Sequence, residues 1–217
     1  MADENSRKGE RYVHPDILAF VEGVHATDTG AFAAAFDAPK REGIPAIQVS
    51  RVEARLLGLI LAMSNARKVV EVGTLAGYSA LHMASRLAEG GRLWSLELDA
   101  RHAALARGAI ADAGLSDRVE VRVGAAIDLL PELASEGPFD AVFIDGDKEN
   151  YPAYGAWAAA HLRPRGLLLA DNVYYFGQLM DDSEGARAMR RFHEQCAVDF
   201  DTTCVPTPDG LLLGIRK

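Results

Sequence analysis

What this chain has little of narrows its function before any motif is read. No apolar stretch in its 217 residues approaches the roughly eighteen that a membrane-spanning helix needs. Residues 1–11 are polar, without the apolar core of a secretory leader. No membrane partner is expected. Cysteine is scarce: Cys196 and Cys204 are the only two, too few for a disulfide framework, and they read as free thiols in a reducing cytoplasm. Basic residues are outnumbered, 23 Lys and Arg against 31 Asp and Glu, for a net charge of −8. Such a surface repels phosphate backbones, and the densest basic patch, Arg187 to Arg191, reads as the solvated face of a helix. Nucleic acid is therefore not an expected partner. The 6 histidines are scattered without zinc-type spacing.

Repeats and low-complexity linkers are also missing, so one domain is expected over 1–217. It divides into a flexible tail (1–10), N-terminal helices (11–66) and a Rossmann-like core (67–217). From Lys68 onward, short apolar runs alternate with helical patterns. The spacing predicts strands at 68–72, 92–97, 118–123, 139–144 and 166–170, with helices at about 77–88, 100–113, 125–134 and 151–162. That alternation belongs to βαβ units, an α/β doubly wound and mostly parallel sheet. Runs such as "AVFI" and "LLLA" suit strands buried on both faces. Gly114 falls where a helix should end in a left-handed cap. Ser50 and Glu53 form a capping box, and Val52, Leu56, Leu57, Leu59, Ile60 and Met63 after it are expected to share one apolar helix face. Residues 199–205 and 210–216, flanking Pro206 to Asp209, suggest a closing antiparallel hairpin.

The chemistry collects at predicted strand ends. "VVEVGTLAGYSA" follows the first strand and opens a helix, where doubly wound folds bind ligands. Its glycines, Gly73 and Gly77, do not make the G-x-G-x-x-G of a dinucleotide site, and Glu71 is badly placed for a pyrophosphate. Glu97 ends the next strand, where such units hold ribose hydroxyls. A ligand with a ribose but no phosphate fits, and S-adenosylmethionine has that shape. Further on, "FIDGDK" delivers Asp145, Asp147 and Lys148, and "LLLADN" delivers Asp171 and Asn172. Paired acidic strand ends of this kind also occur in phosphoacceptor domains. A nicotinamide oxidoreductase, disfavoured by the missing third glycine, and a non-catalytic ligand-binding module would use the same fold.

Taken in order, "VVEVGTLAGYSA", "LWSLELD", "DRVEVRVGAA", "FDAVFIDGDKENY" and "LLLADNV" resemble the cation-dependent O-methyltransferases of the catechol and caffeoyl-coenzyme A type, from about Ile47 to the C-terminus. The resemblance implies cofactor contacts at Val49, Glu71, Gly73, Thr74, Ser79, Glu97, Ala126 and Asp145. It implies a divalent cation (Mg²⁺ first, with Mn²⁺ or Ca²⁺ also suited) on Asp145, Asp171 and Asn172, with Asp147 a neighbour rather than a ligand. Lys148 is implied as the catalytic base beside Asp145. It further implies a small phenolic acceptor with vicinal hydroxyls, and a homodimer. An all-oxygen ligand set favours hard cations over zinc. Where the family often reads "DNVLWGG", this chain has "DNVYYFG", which makes Tyr174, Tyr175 and Phe176 candidates for an aromatic acceptor wall. The family's C-terminal acid has no aligned counterpart, although Asp181 and Asp182 are nearby. Tyr151, Tyr154 and Trp157 are expected to pack in the core.

Overall fold

The apolar runs become five parallel strands: β1 (Lys68–Val72), β2 (Arg92–Glu97), β3 (Val119–Val123), β4 (Phe139–Ile144) and β5 (Leu162–Ala170). With β6 (Phe200–Val205) and β7 (Leu211–Arg216) they form a 7-stranded sheet in the order β3-β2-β1-β4-β5-β7-β6. Strand β7 is antiparallel to both of its neighbours, which is the expected hairpin. The structure, a computed structural model, describes residues 14–217, so the tail expected at 1–10 lies outside the described residues. Among those described, no helix is long and apolar enough to cross a membrane.

The helices are α1 (Pro15–His25), α2 (Gly30–Glu42), α3 (Arg51–Met63), α4 (Tyr78–Ala84), α5 (Ala100–Asp112), α6 (Ala126–Leu133), α7 (Tyr151–His161) and α8 (Glu184–Asp199). Strand side chains alternate between two apolar layers. Val69, Ala141 and Phe143 join the layer under α3, α4 and α5. Val70, Val142 and Ile144 join the layer under α6, α7 and α8. The sheet order reverses between β1 and β4, and ligands bind at the carboxyl edge of such a switch point.

Three local expectations need correction. The apolar face expected on α3 is buried only in part: Leu57 is fully buried, and Leu56 and Ile60 pack partly buried against the core. Val52, Leu59 and Met63 are exposed, and the stripe facing the core is Glu53, Ala54, Leu57, Gly58 and Leu61. Small residues decide this packing: a Cβ on Gly58 would stand 2.6 Å from the carbonyl oxygen of His82 on α4, so the two helices approach through Ala54 and Gly58. Helix α4 stops at Ala84 rather than near residue 88, and Ser85 Oγ turns back to the His82 carbonyl at 3.1 Å. Strand β5 starts at Leu162, pairs with Phe139 across an irregular register, and resumes regular pairing at Leu167. Pro164, which cannot donate to a ladder, falls in that irregular stretch. The capping box holds, with Ser50 N donating to Glu53 Oε2 at 3.0 Å, and Gly114 is left-handed as expected.

Candidate active site

Backbone bonds align the strand ends in one row. Gly73 N donates to Leu96 O at 2.9 Å, Asp145 N to Val72 O at 2.8 Å, and Asp171 N to Ile144 O at 3.0 Å. Gly73, Glu97, Asp145 and Asp171 therefore line one edge of the sheet. The glycine at 73 is required twice over. Its φ is +93°, and a Cβ there would stand 2.2 Å from the Asp145 carbonyl oxygen.

On the β1–β2 side the predicted cofactor residues bond to one another. Glu71 is fully buried and accepts from Ser79 and, at 2.5 Å, from Ser95. Ser95 in turn shares a 2.5 Å bond with Thr74 Oγ1. Burial pushes the Glu71 carboxyl up to about 7, against the pull of the two serines. Glu97 Oε2 accepts from the backbone N–H groups of Thr74 (3.1 Å) and Leu75 (2.8 Å), while Oε1 accepts from Asp99 N (2.9 Å). The glycine loop is thus held from beneath by two carboxylates. Val49 is buried just before α3, and Ala126 is the first residue of α6. Sequence reasoning missed Ser95, although a lone hydroxyl inside the apolar run "LWSLE" was a signal.

On the β4–β5 side the arrangement differs. Ile144 pairs with Ala170, so Asp145 and Asp171 leave adjacent strands in step, about 4.8 Å apart in backbone spacing. Asn172 turns left-handed at φ +57°, a conformation Asn tolerates, and its Nδ2 donates to Asp171 Oδ2 at 3.3 Å. The other oxygen, Asp171 Oδ1, is buried with no partner. Burial, together with the charges of Asp145 and Glu53, pushes the Asp171 carboxyl up to about 8. Burial also raises Asp145, opposed by Lys148. Lys148 Nζ donates to Asp145 Oδ1 at 3.1 Å and to the Tyr151 hydroxyl at 2.9 Å. That hydroxyl donates to the Asp171 carbonyl at 3.0 Å, so Lys148 and Tyr151 tie the end of β4 to the end of β5.

Asp147 is occupied elsewhere, accepting from the Tyr154 hydroxyl at 2.5 Å and from Asn150. The rings of Tyr151 and Tyr154 are core, as expected, but their hydroxyls brace the loop, which the sequence did not announce. Among the described residues no three His, Cys, Asp or Glu side chains converge as a metal cluster; the predicted ligand set holds two acids and an amide. Asp182 is exposed and pairs with Arg187. Tyr174 and Tyr175 are half-buried and pack on Gly210 and Gly185, while Phe176 is exposed; Tyr175 and Phe176 take positive φ values of 51° and 54°.

The O-methyltransferase family profile matches residues 33–217. A catechol O-methyltransferase of Niastella koreensis is 39% identical over 91% of this chain and 95% of its own length. One from Mycobacterium tuberculosis is 42% identical over 81% of this chain and 79% of its own. Among solved structures, the O-methyltransferase TomG from Streptomyces achromogenes, in complex with SAM, superposes with a TM-score of 0.89 at 31% identity, covering 100% of both chains. An O-methyltransferase from Bacillus cereus in complex with SAH gives 0.87 at 34% identity, covering 92% of this chain and 96% of that one. Profile, relatives and neighbours agree with the row of strand ends, and the chain belongs to the O-methyltransferase family as an S-adenosylmethionine-dependent enzyme of the catechol and caffeoyl-coenzyme A type.

Proposed function

We propose that the enzyme methylates a hydroxyl of a small phenolic acceptor carrying adjacent hydroxyls, with a divalent cation at the β4–β5 strand ends. The observation that carries this reading is the pair Asp145 and Asp171 in step on neighbouring strands, with Asp171 Oδ1 buried and unpartnered. A buried carboxylate oxygen without a partner is costly, and an oxygen-only set fits a hard cation. Asp145, Asp171 and Asn172 would hold it, Mg²⁺ first and Mn²⁺ or Ca²⁺ next. Bound there, such an ion lowers the pKa of a hydroxyl and fixes its line of attack.

The chain's own residues supply the rest. Val49, Glu71, Gly73, Thr74, Ser79, Glu97, Ala126 and the edge at Asp145 seat the methyl donor. Lys148, anchored at Asp145 and Tyr151, takes the acceptor's proton at Nζ as the neutral amine, its own ammonium proton having first passed to solvent. The acceptor oxygen then displaces the sulfur, so the S–CH₃ bond breaks as the O–CH₃ bond forms and the sulfonium charge is discharged. Tyr174, Tyr175 and Phe176 would wall the acceptor. Family membership sets aside the phosphoacceptor and nicotinamide readings. We further assign the protein to the cytoplasm, which suits its two free thiols. We also assign it to a homodimer, supported by Ile17, Leu18, Phe20, Val21 and Val24, which α1 leaves exposed.

Excess chelator is expected to abolish methyl transfer to a catechol, and added Mg²⁺ or Mn²⁺ to restore it. Full activity after verified metal removal would overturn the cation centre. Methyl transfer to monophenols at the same rate would overturn the vicinal-hydroxyl acceptor.

A further inference from the structure

The glycine loop carries one aromatic residue, Tyr78, that the donor seat described above does not use. It falls between Gly77 and Ser79, at the first position of α4, and its ring is buried in the core. A phenylalanine would fill that place as well. The hydroxyl instead donates at 2.5 Å to Oδ2 of Asp28, 50 residues earlier, in the turn between α1 and α2. The Asp28 side chain is 4% exposed. Burial, then the bond to Asp28, pushes the Tyr78 hydroxyl far above its ordinary range, so it remains a donor. The same Oδ2 stands 3.7 Å from Arg51 Nε, and Arg51 opens α3 two residues after Val49. The Arg51 guanidinium lies 3.8 Å over the ring of Phe36, and Phe36 meets the Tyr78 ring edge-on at 5.0 Å. Asp28, Tyr78, Phe36 and Arg51 thus close a ring of contacts. Arg55 holds the turn itself, donating from Nη2 to Thr27 O at 3.3 Å.

We propose that Asp28 is a positioning residue of the methyl-donor seat: through Tyr78 and Arg51 it holds the glycine loop and the stretch at Val49 in register with each other. A buried carboxylate set against a hydroxyl and a guanidinium 3.7 Å away is a weak source of stability, so the pair is explained by what it holds. Gly73 and Gly77 are both left-handed, at φ +93° and +86°, and a loop hinged on two glycines has little stiffness of its own. Glu71 and Glu97 hold that loop from beneath, and Asp28 holds its far end from the N-terminal helices. Without Asp28 the loop leaves the geometry that fits the donor, and donor affinity falls in proportion to the time it spends away. Bound donor restores the geometry, so the rate at saturation is kept. The inference rests on the donor seat assigned above.

The test compares wild type with Tyr78→Phe, which removes only the hydroxyl, Asp28→Ala, which removes the acceptor, and Asp28→Asn, which keeps one acceptor oxygen. Calorimetric titration is expected to show S-adenosylmethionine and S-adenosylhomocysteine both weakened about tenfold in Tyr78→Phe and Asp28→Ala, as a seat formed about one tenth of the time would give. The double variant should bind no more weakly than the weaker single, because both remove one bond, and Asp28→Asn should recover most of the affinity. In a methyl-transfer assay KM for the donor should rise in step, with kcat unchanged. Asp140→Asn is the control. Asp140 holds the opposite end of β1 through the N–H groups of Arg67 and Lys68, at 2.8 and 2.9 Å, so its loss should lower Tm and leave donor affinity alone. Unchanged donor affinity in Tyr78→Phe and Asp28→Ala, with Tm lowered as in Asp140→Asn, overturns the proposal and leaves the pair a brace of the fold. Additive losses, or a fall in kcat at saturating donor, also overturn it. If wild type binds neither ligand, the donor seat itself falls, and the inference with it.

Discussion

The two halves of the strand-end row contain the same chemistry in opposite states. At β1–β2, Glu71 and Glu97 are buried and every carboxylate oxygen has a hydroxyl or backbone N–H donor. At β4–β5, Asp171 keeps a buried oxygen with no donor, and Lys148 provides the ammonium that Asp145 meets. The first half is complete as protein: its acids shape a loop. The second leaves Asp171 Oδ1 without a donor, the place of the proposed cation. Burial alone, which the two halves share, does not distinguish a structural carboxylate from a chemical one. The donor count does.

The sharpest way to break this comparison is Lys148→Ala. If the lysine is the base, turnover should fall roughly 10²–10⁴-fold, or about 3–5 kcal/mol in the barrier, while calorimetry shows cation and methyl-donor affinity retained. Activity should return mainly at high pH, and acceptors with more acidic hydroxyls should suffer less. Loss of the cation with an equal loss on every acceptor would make Lys148 structural.

A smaller effect is expected from Glu71→Gln. The folded-state carboxyl is raised from 4.5 to about 7, so between those values the folded protein holds more protons than the unfolded chain. Its contribution to stability is therefore lost as pH rises from about 4.5 to 7, by on the order of 3 kcal/mol. Denaturant unfolding without cofactor should show Glu71→Gln gaining on wild type at pH 8 relative to pH 5. The same difference at both pH values would show that Glu71 ionises normally.

The smallest expected effect is that of Glu97→Ala, which should weaken S-adenosylmethionine binding by roughly 1.5–3 kcal/mol, the range for a hydrogen bond to a charged group. The structure adds a second route to this loss, since Glu97 also holds the N–H groups of Thr74 and Leu75. Unchanged affinity in a folded variant would remove Glu97 from the donor half.

Much of this was legible in the residues because parallel strands buried on both faces read as apolar runs, and β1, β2 and β4 begin and end where those runs do. Gly73 and the edge carboxylates were legible because few residue types suit those places. The packing of α3 was not, because Ala54 and Gly58 bury by being small, and a search for large apolar residues passes over them. The start of β5 was hidden by Arg163, Pro164 and Arg165, which interrupt the apolar run. The loop donors to Glu97 are backbone groups, which carry no residue signature, and the hydroxyls of Tyr151 and Tyr154 were masked by the burial of their own rings. Glu53 was legible as a cap.

The stretch after Asn172, the proposed acceptor wall, has a consequence for redesign. The ring of Tyr174 lies where a Cβ on Gly210 would be, 2.6 Å from it, and the Tyr175 hydroxyl would stand 2.0 Å from a Cβ on Gly185. Each aromatic residue is therefore matched to a glycine far along the chain, in the turn before β7 or at the start of α8. Varying the tyrosines one at a time opens a void over a bare backbone, and varying the glycines one at a time collides with a ring. Laboratory evolution of acceptor range at this wall should therefore advance by exchanging volume within pairs, 174 with 210 and 175 with 185. Phe176, exposed and unmatched in this way, is the position free to change alone.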